Sequence, residues 1–151
     1  MASVMLRIIL GAVYVAMAAG QVASWPQMPR ILGAYDVAPA WVLPWLAAVL
    51  IGAEVLAGAW MLVRPRSSAL TPVWVYTSVA LVWAALGVEA YARGLAVDNC
   101  GCFGLYLQQR LTWFTLAQDG LLLVYAAIMI RGGLRIRVAA TDKPIKEMTR
   151  R

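Results

Sequence analysis

Histidine is absent from the 151 residues. That removes imidazole acid/base chemistry, any His-containing triad and any His-ligated metal from what this chain can do alone. Cysteine occurs only twice, too few to close a four-thiolate metal site but enough for one disulfide. Charge is also scarce: 13% of residues are charged, against 63% hydrophobic. That balance excludes an ordinary soluble domain and points to lipid as the folding solvent. Four spans of roughly 20 residues with short connections use nearly the whole length, so no second folded domain fits.

The charges that do occur are unevenly placed. The net charge is +6, and seven basic residues fall in the last 21: Arg131, Arg135, Arg137, Lys143, Lys146, Arg150 and Arg151. No basic face with interleaved aromatics accompanies them, which argues against a nucleic-acid partner. A solvated tail against an anionic membrane face accounts for the cluster.

Charge-free runs predict helices near 4–24, 40–63, 72–93 and 113–131. The expected architecture is all-α, a polytopic four-transmembrane-helix bundle over 1–131, followed by a basic cytoplasmic tail over 132–151. The first run has a competing reading as a cleavable signal peptide, from Arg7 and the small-residue pattern Ala16-Met17-Ala18, but its apolar stretch continues well past Ala18. Trp25 to Pro44 reads as a Pro- and Trp-rich first loop. Arg64 to Ser68 reads as a tight basic second loop, and Arg93 to Thr112 as a third.

Orientation follows from the basic residues. With both termini on one face, that face collects Arg7, Arg64, Arg66 and the seven tail residues, ten against three for Arg30, Arg93 and Arg110. The positive-inside rule makes the ten-residue face cytoplasmic. The expected location is a bacterial cytoplasmic membrane, with the third loop and its cysteines outside, where disulfides persist.

Asp98-Asn99-Cys100-Gly101-Cys102-Phe103-Gly104 holds both cysteines within three residues. Gly101 and Gly104 supply the backbone freedom that a Cys-x-Cys pair demands. A bridge across one residue closes a very small loop, so it removes little chain entropy and is expected to exchange readily. The alternatives are a disulfide that only stiffens the loop and a pair of inert small hydrophobes at the membrane surface. No metal site is expected.

The Cys100-to-Gly104 string, preceded by Asp98-Asn99 and followed by Trp113 and Leu116-Ala117-Gln118-Asp119, resembles the MauE family. The segment Gly52-Ala53-Glu54-Val55-Leu56-Ala57-Gly58 is similar to the Glu-containing second helix of the wider DoxX-like group. The resemblance covers roughly residues 5–131. It implies a four-helix membrane bundle that helps form disulfides in, or mature, exported redox proteins such as methylamine dehydrogenase. Gln118 stands where family members often carry arginine. On this reading Cys100 and Cys102 are the exchanging pair, Gly101, Phe103 and Gly104 support the motif, and the partners are the lipid bilayer and an extracytoplasmic thiol/disulfide protein. A quinone is the electron acceptor suggested by analogy with other four-helix membrane oxidases of thiols. The rival reading is a non-catalytic accessory or assembly subunit with a structural Cys-Gly-Cys clip; a weaker third is a small transporter or lipid-binding protein using Glu54.

Ionisable groups in or near the spans each ask for a reason, since one at the bilayer centre costs roughly 2.5–3.5 kcal/mol. Glu54 is expected to be paired with Arg7, protonated, or on a proton path. Glu89 precedes Arg93 by four residues, the favourable order for an intrahelical pair, and otherwise stands close enough to the loop to manage protons. Asp119 follows Thr115 in a capping-box pattern, with acid/base chemistry as its alternative. Arg93 and Arg110 flank the cysteine loop and either lower a thiol pKa or anchor the interface. Gly52, Gly58 and Gly87 are expected to permit close helix contact, and tryptophans such as Trp25, Trp41, Trp45 and Trp113 to mark the membrane interfaces.

Overall fold

A computed structural model describes residues 2–148, with the side chains of 3–134. The basic side chains Arg135, Arg137, Lys143 and Lys146, and all of Arg150 and Arg151, lie outside the described residues. Five α-helices run in order, α1 Ala2–Ala23, α2 Met28–Gly33, α3 Leu43–Val63, α4 Thr71–Ala92 and α5 Trp113–Met148, with no strand among the described residues. Four of them are long and apolar enough to cross a membrane: Ser3–Ala23, Leu43–Val63, Thr71–Ala92 and Trp113–Leu134. This is the expected all-α bundle, with span limits close to those read from the charge-free runs.

Prolines set several starts. Pro44 and Pro72 lie in the first turns of α3 and α4, where a missing N–H costs nothing because those donors have no intrahelical acceptor. At the far end of α4, Gly94 adopts φ +69, and the Leu95 N–H reaches back to the Ala90 carbonyl at 3.0 Å. This left-handed turn closes the helix and sends the chain into the cysteine loop.

The first loop differs from expectation. It holds a 3-10 turn, Trp25–Gln27, and the short helix α2. Met28, Ile31, Leu32 and Tyr35 from this stretch are buried in the core. Apolar residues spaced three and four apart gave that segment a face to bury, and Pro26 and Pro29 interrupt the helix without preventing a short turn.

Helices α1 and α3 cross where Gly11 meets Gly58: a Cβ added at Gly58 would stand 2.9 Å from the Gly11 carbonyl oxygen. Gly87 likewise gives room to Leu116 of α5. Gly52 does not serve this role, because its open side meets nothing within 4 Å. Beside the crossing, Tyr14 and Tyr76 stack with ring centroids 4.5 Å apart, and the Tyr14 hydroxyl donates to the Tyr76 carbonyl at 3.1 Å.

The start of α1, the α3–α4 loop and Gly133 of α5 share one end of the bundle, where they line a common cavity. The cysteine loop packs at the opposite end, against the last turn of α1. Trp41, Trp45 and Trp113 are largely exposed and Trp25 partly so, as interface tryptophans are.

Candidate functional site

Residues 95–112 form a loop that folds back on itself before it meets the bundle. The Leu111 N–H donates to the Val97 carbonyl at 2.9 Å, and the Cys100 N–H to the Gln109 carbonyl at 2.8 Å. Asn99 braces the tip from within: its Oδ1 accepts from the Gly101 N–H at 3.0 Å, and its Nδ2 donates to the Gly104 carbonyl at 2.9 Å. Gly101 has φ +83 and Gly104 φ +61. Both angles lie in the left-handed region that glycine enters without a Cβ penalty. Closeness demands glycine too, because a Cβ on Gly101 would stand 2.9 Å from Ile31 Cγ2, and one on Gly104 2.5 Å from the Gly20 carbonyl oxygen.

This turn brings the cysteine sulfurs to 3.2 Å, within thiol hydrogen-bond range, with both residues as free thiols. Cys100 is buried, while Cys102 is half-buried. The pair is electrostatically unequal. The hydrogen bond between the two thiols pulls the Cys100 pKa below the ordinary thiol value; burial opposes this and the Cys102 backbone N–H assists. The Cys102 thiol is pushed well above its ordinary value, first by that same hydrogen bond, then by burial and by the charge that would sit on Cys100. Cys100 is therefore the thiolate-forming member.

Uncharged side chains of α1 and of the segment that follows it tie the loop to the bundle. Gln21, fully buried near the end of α1, donates through Nε2 to the Cys102 carbonyl at 3.0 Å and to Glu54 Oε1 at 3.3 Å. Trp83 of α4 donates to the same Glu54 oxygen at 2.9 Å. Tyr35 donates to the Cys100 carbonyl at 2.9 Å, and Ser24 Oγ accepts from the Leu105 N–H at 2.9 Å. Sequence reading missed Gln21, Ser24, Tyr35 and Trp83 as site residues. The polar Gly20-Gln21 step inside an otherwise apolar run was the available signal for the first.

Glu54 is fully buried at this junction, and it is not paired with Arg7. The crossing at Gly11 and Gly58 explains the difference: Glu54 and Gln21 lie on one side of it, Arg7 on the other. Arg7 instead donates through Nη2 to the Ala69 carbonyl at 3.1 Å.

Asp119 does not cap α5. The helix begins at Trp113, which puts Thr115 inside its first turn, where the Thr115 hydroxyl donates to the Arg110 carbonyl at 2.8 Å. Asp119, a turn later and buried, faces inward beside Gly87, and it lines a cavity of about 250 Å³ together with Cys102, Phe103, Trp83, Gln118 and residues of α1. The structure thus brings Cys100, Gly101, Cys102, Phe103, Gly104, Glu54 and Asp119 to one region.

Glu89, Arg93 and Arg110 stand apart from it. Arg93 bonds Glu89 at 2.9 Å, as the four-residue spacing anticipates, and also Asp36 at 2.8 Å, an ion pair not foreseen. Those two carboxylates hold the Arg93 pKa above its ordinary value, the Glu89 hydrogen bond contributing most. Arg110 pairs with Asp98 at 3.2 Å, both largely exposed. The nearest charged partners of both arginines are carboxylates rather than the thiols.

A family model described as methylamine utilisation protein MauE matches residues 1–132. No curated protein and no solved structure matches the chain.

Proposed function

Since the chain belongs to the MauE family, we propose that it is a membrane accessory protein of methylamine utilisation that exchanges disulfides with an extracytoplasmic partner through Cys100 and Cys102. The observation that carries this reading is the sulfur pair itself, 3.2 Å apart on a glycine turn. Covalent bridging of the two thiols asks for only a small further approach.

Their inequality assigns the roles. In the oxidised form the partner's thiolate attacks the sulfur of Cys102, the residue with the greater surface of the two, and the S–S bond breaks, so that Cys100 leaves as thiolate. A low-pKa thiol is the faster leaving group. The partner's second thiolate then attacks the mixed disulfide. The partner ends as a disulfide and this chain as a dithiol, with two electrons transferred.

Renewing the disulfide requires a two-electron acceptor. The cavity at Cys102, about 250 Å³, exceeds the roughly 150 Å³ that holds benzene in an apolar protein interior. A single quinone ring fits that size, and Gln118, Thr115 and Asp119 are the polar groups that would hold it. Bound there, a quinone would supply the acceptor for two electrons and two protons.

The count of ten basic residues against three supports an orientation in the bacterial cytoplasmic membrane with the cysteine loop outside. The Glu54 segment extends the proposed kinship to the wider DoxX-like group. The competing reading, a structural clip in an assembly subunit, is favoured by the ties from Gln21 and Tyr35 to the two cysteine carbonyls. Titrating the pair against glutathione or dithiothreitol separates the two. Exchange predicts a reduction potential above about −300 mV, and a clip predicts one below it.

A further inference from the structure

At the end of the bundle opposite the cysteines, Arg7 is 4% exposed yet lies in a spanning helix. Among the described residues it forms no ion pair. Its Nη2 is satisfied by the Ala69 carbonyl, while its Nη1 is buried without a hydrogen-bond partner. A buried guanidinium with an unmet donor is costly, and an anion is the group that would relieve it.

Arg7 also lines a cavity of about 340 Å³, to which Ser3, Arg66, Ser67 and Ser68 contribute and, among the described residues, no carboxylate does. Ser67 Oγ already accepts from the Ala69 N–H at 3.1 Å, which leaves its hydroxyl hydrogen free to donate. Among the described residues the polar lining is two guanidinium groups and three hydroxyls, a set rich in donors, and Val4 and Met129 add apolar wall. Arg7 sits five residues into α1, about 7.5 Å along it, close to one end of that spanning helix.

The geometry points to a phosphate-binding site at Arg7, occupied by a phosphate group, lipid-borne or free, whose acceptor oxygens meet Arg7, Arg66 and the serine hydroxyls. Guanidinium forks match phosphate oxygens in pairs, and basic pockets between spanning helices suit lipid headgroups. The site is independent of the thiol chemistry, so neither proposal stands or falls with the other.

The test follows thermal unfolding of the delipidated full chain in a neutral detergent. Phosphatidylglycerol, inorganic phosphate, and a diacylglycerol of the same acyl chains are each titrated. Saturable stabilisation by a phosphate-bearing probe, with none from diacylglycerol, is expected. Action by phosphatidylglycerol at concentrations where inorganic phosphate has no effect assigns the lipid; equal action by both at similar concentrations assigns soluble phosphate. Arg66→Gln, in the exposed loop, should weaken the apparent affinity about tenfold, the loss of one charge-assisted contact, and Arg7→Gln should abolish it. If Arg7→Gln does not fold, Arg66→Gln still decides. Equal stabilisation by diacylglycerol, or an Arg66→Gln titration matching wild type, overturns the proposal.

Discussion

Gln21 Nε2 lies 3.0 Å from the Cys102 carbonyl oxygen, which fixes the cysteine turn to the last turn of α1 across 81 residues of sequence. Because the same nitrogen also bonds Glu54, one amide joins the loop to two helices, and Trp83 brings in a third. Position of the sulfurs thus depends on uncharged groups in the bundle as much as on the motif.

Replacing Gln21 by Leu should leave the Cys102 carbonyl without this donor and Glu54 with Trp83 alone. Interhelical hydrogen bonds in membrane proteins are worth about 0.6 kcal/mol on average, with a maximum near 1.7. A loss of about 1–2 kcal/mol is expected because two bonds go at once, read by unfolding in detergent. Alkylation of Cys102 should quicken as the loop loosens.

Gly101→Ala combines a left-handed backbone with a methyl 2.9 Å from Ile31 Cγ2. A non-glycine residue there costs about 1–2 kcal/mol before any steric term. The variant should unfold at lower temperature and form the Cys100–Cys102 bridge more slowly under mild oxidant, as followed by mass. A variant that oxidises at the wild-type rate would show that the turn does not set the sulfur geometry.

The pH dependence of alkylation tests the inequality of the two thiols. Cys100 is held below the ordinary thiol value mainly by its hydrogen bond with Cys102, so its thiolate appears at lower pH than in a free cysteine. Alkylation at Cys100 should rise with pH and level off earlier in wild type than in Cys102→Ala, where that hydrogen bond is gone. Peptide-resolved mass spectrometry across a pH series reads both curves.

Arg93→Ala removes two ion pairs whose partners are well exposed. Such pairs are worth roughly 0–1 kcal/mol, so stability should change by less than about 1 kcal/mol. The alkylation midpoint at Cys100 should not move, nor should it in Arg110→Ala. A clear shift in either would return these arginines to the thiol site.

The spans were legible because lipid demands long apolar runs, and a run is visible without knowing its neighbours. The cysteine turn was legible because Gly101 and Gly104 carry their conformational meaning locally. Gln21, Tyr35 and Trp83 were not, since an uncharged polar residue in an apolar run looks the same whether it faces lipid, a helix or a loop. Glu54 was visible as a problem but not solvable, because its partners depend on the Gly11–Gly58 crossing. Asp119 was misjudged by a local pattern: Thr115 matches a capping box, but two further residues of helix precede it, and the carboxylate turns inward.

Cys102 carries the partner in the mixed disulfide and Cys100 is the thiolate released, and the direct measurement is a mixed-disulfide trap. Cys100→Ser expressed with the methylamine-utilisation proteins, then separated without reductant, should accumulate one covalent complex through Cys102 that reductant releases. Cys102→Ser should accumulate none. No complex with either variant, together with normal maturation of the partner in the double variant, would contradict the exchange mechanism.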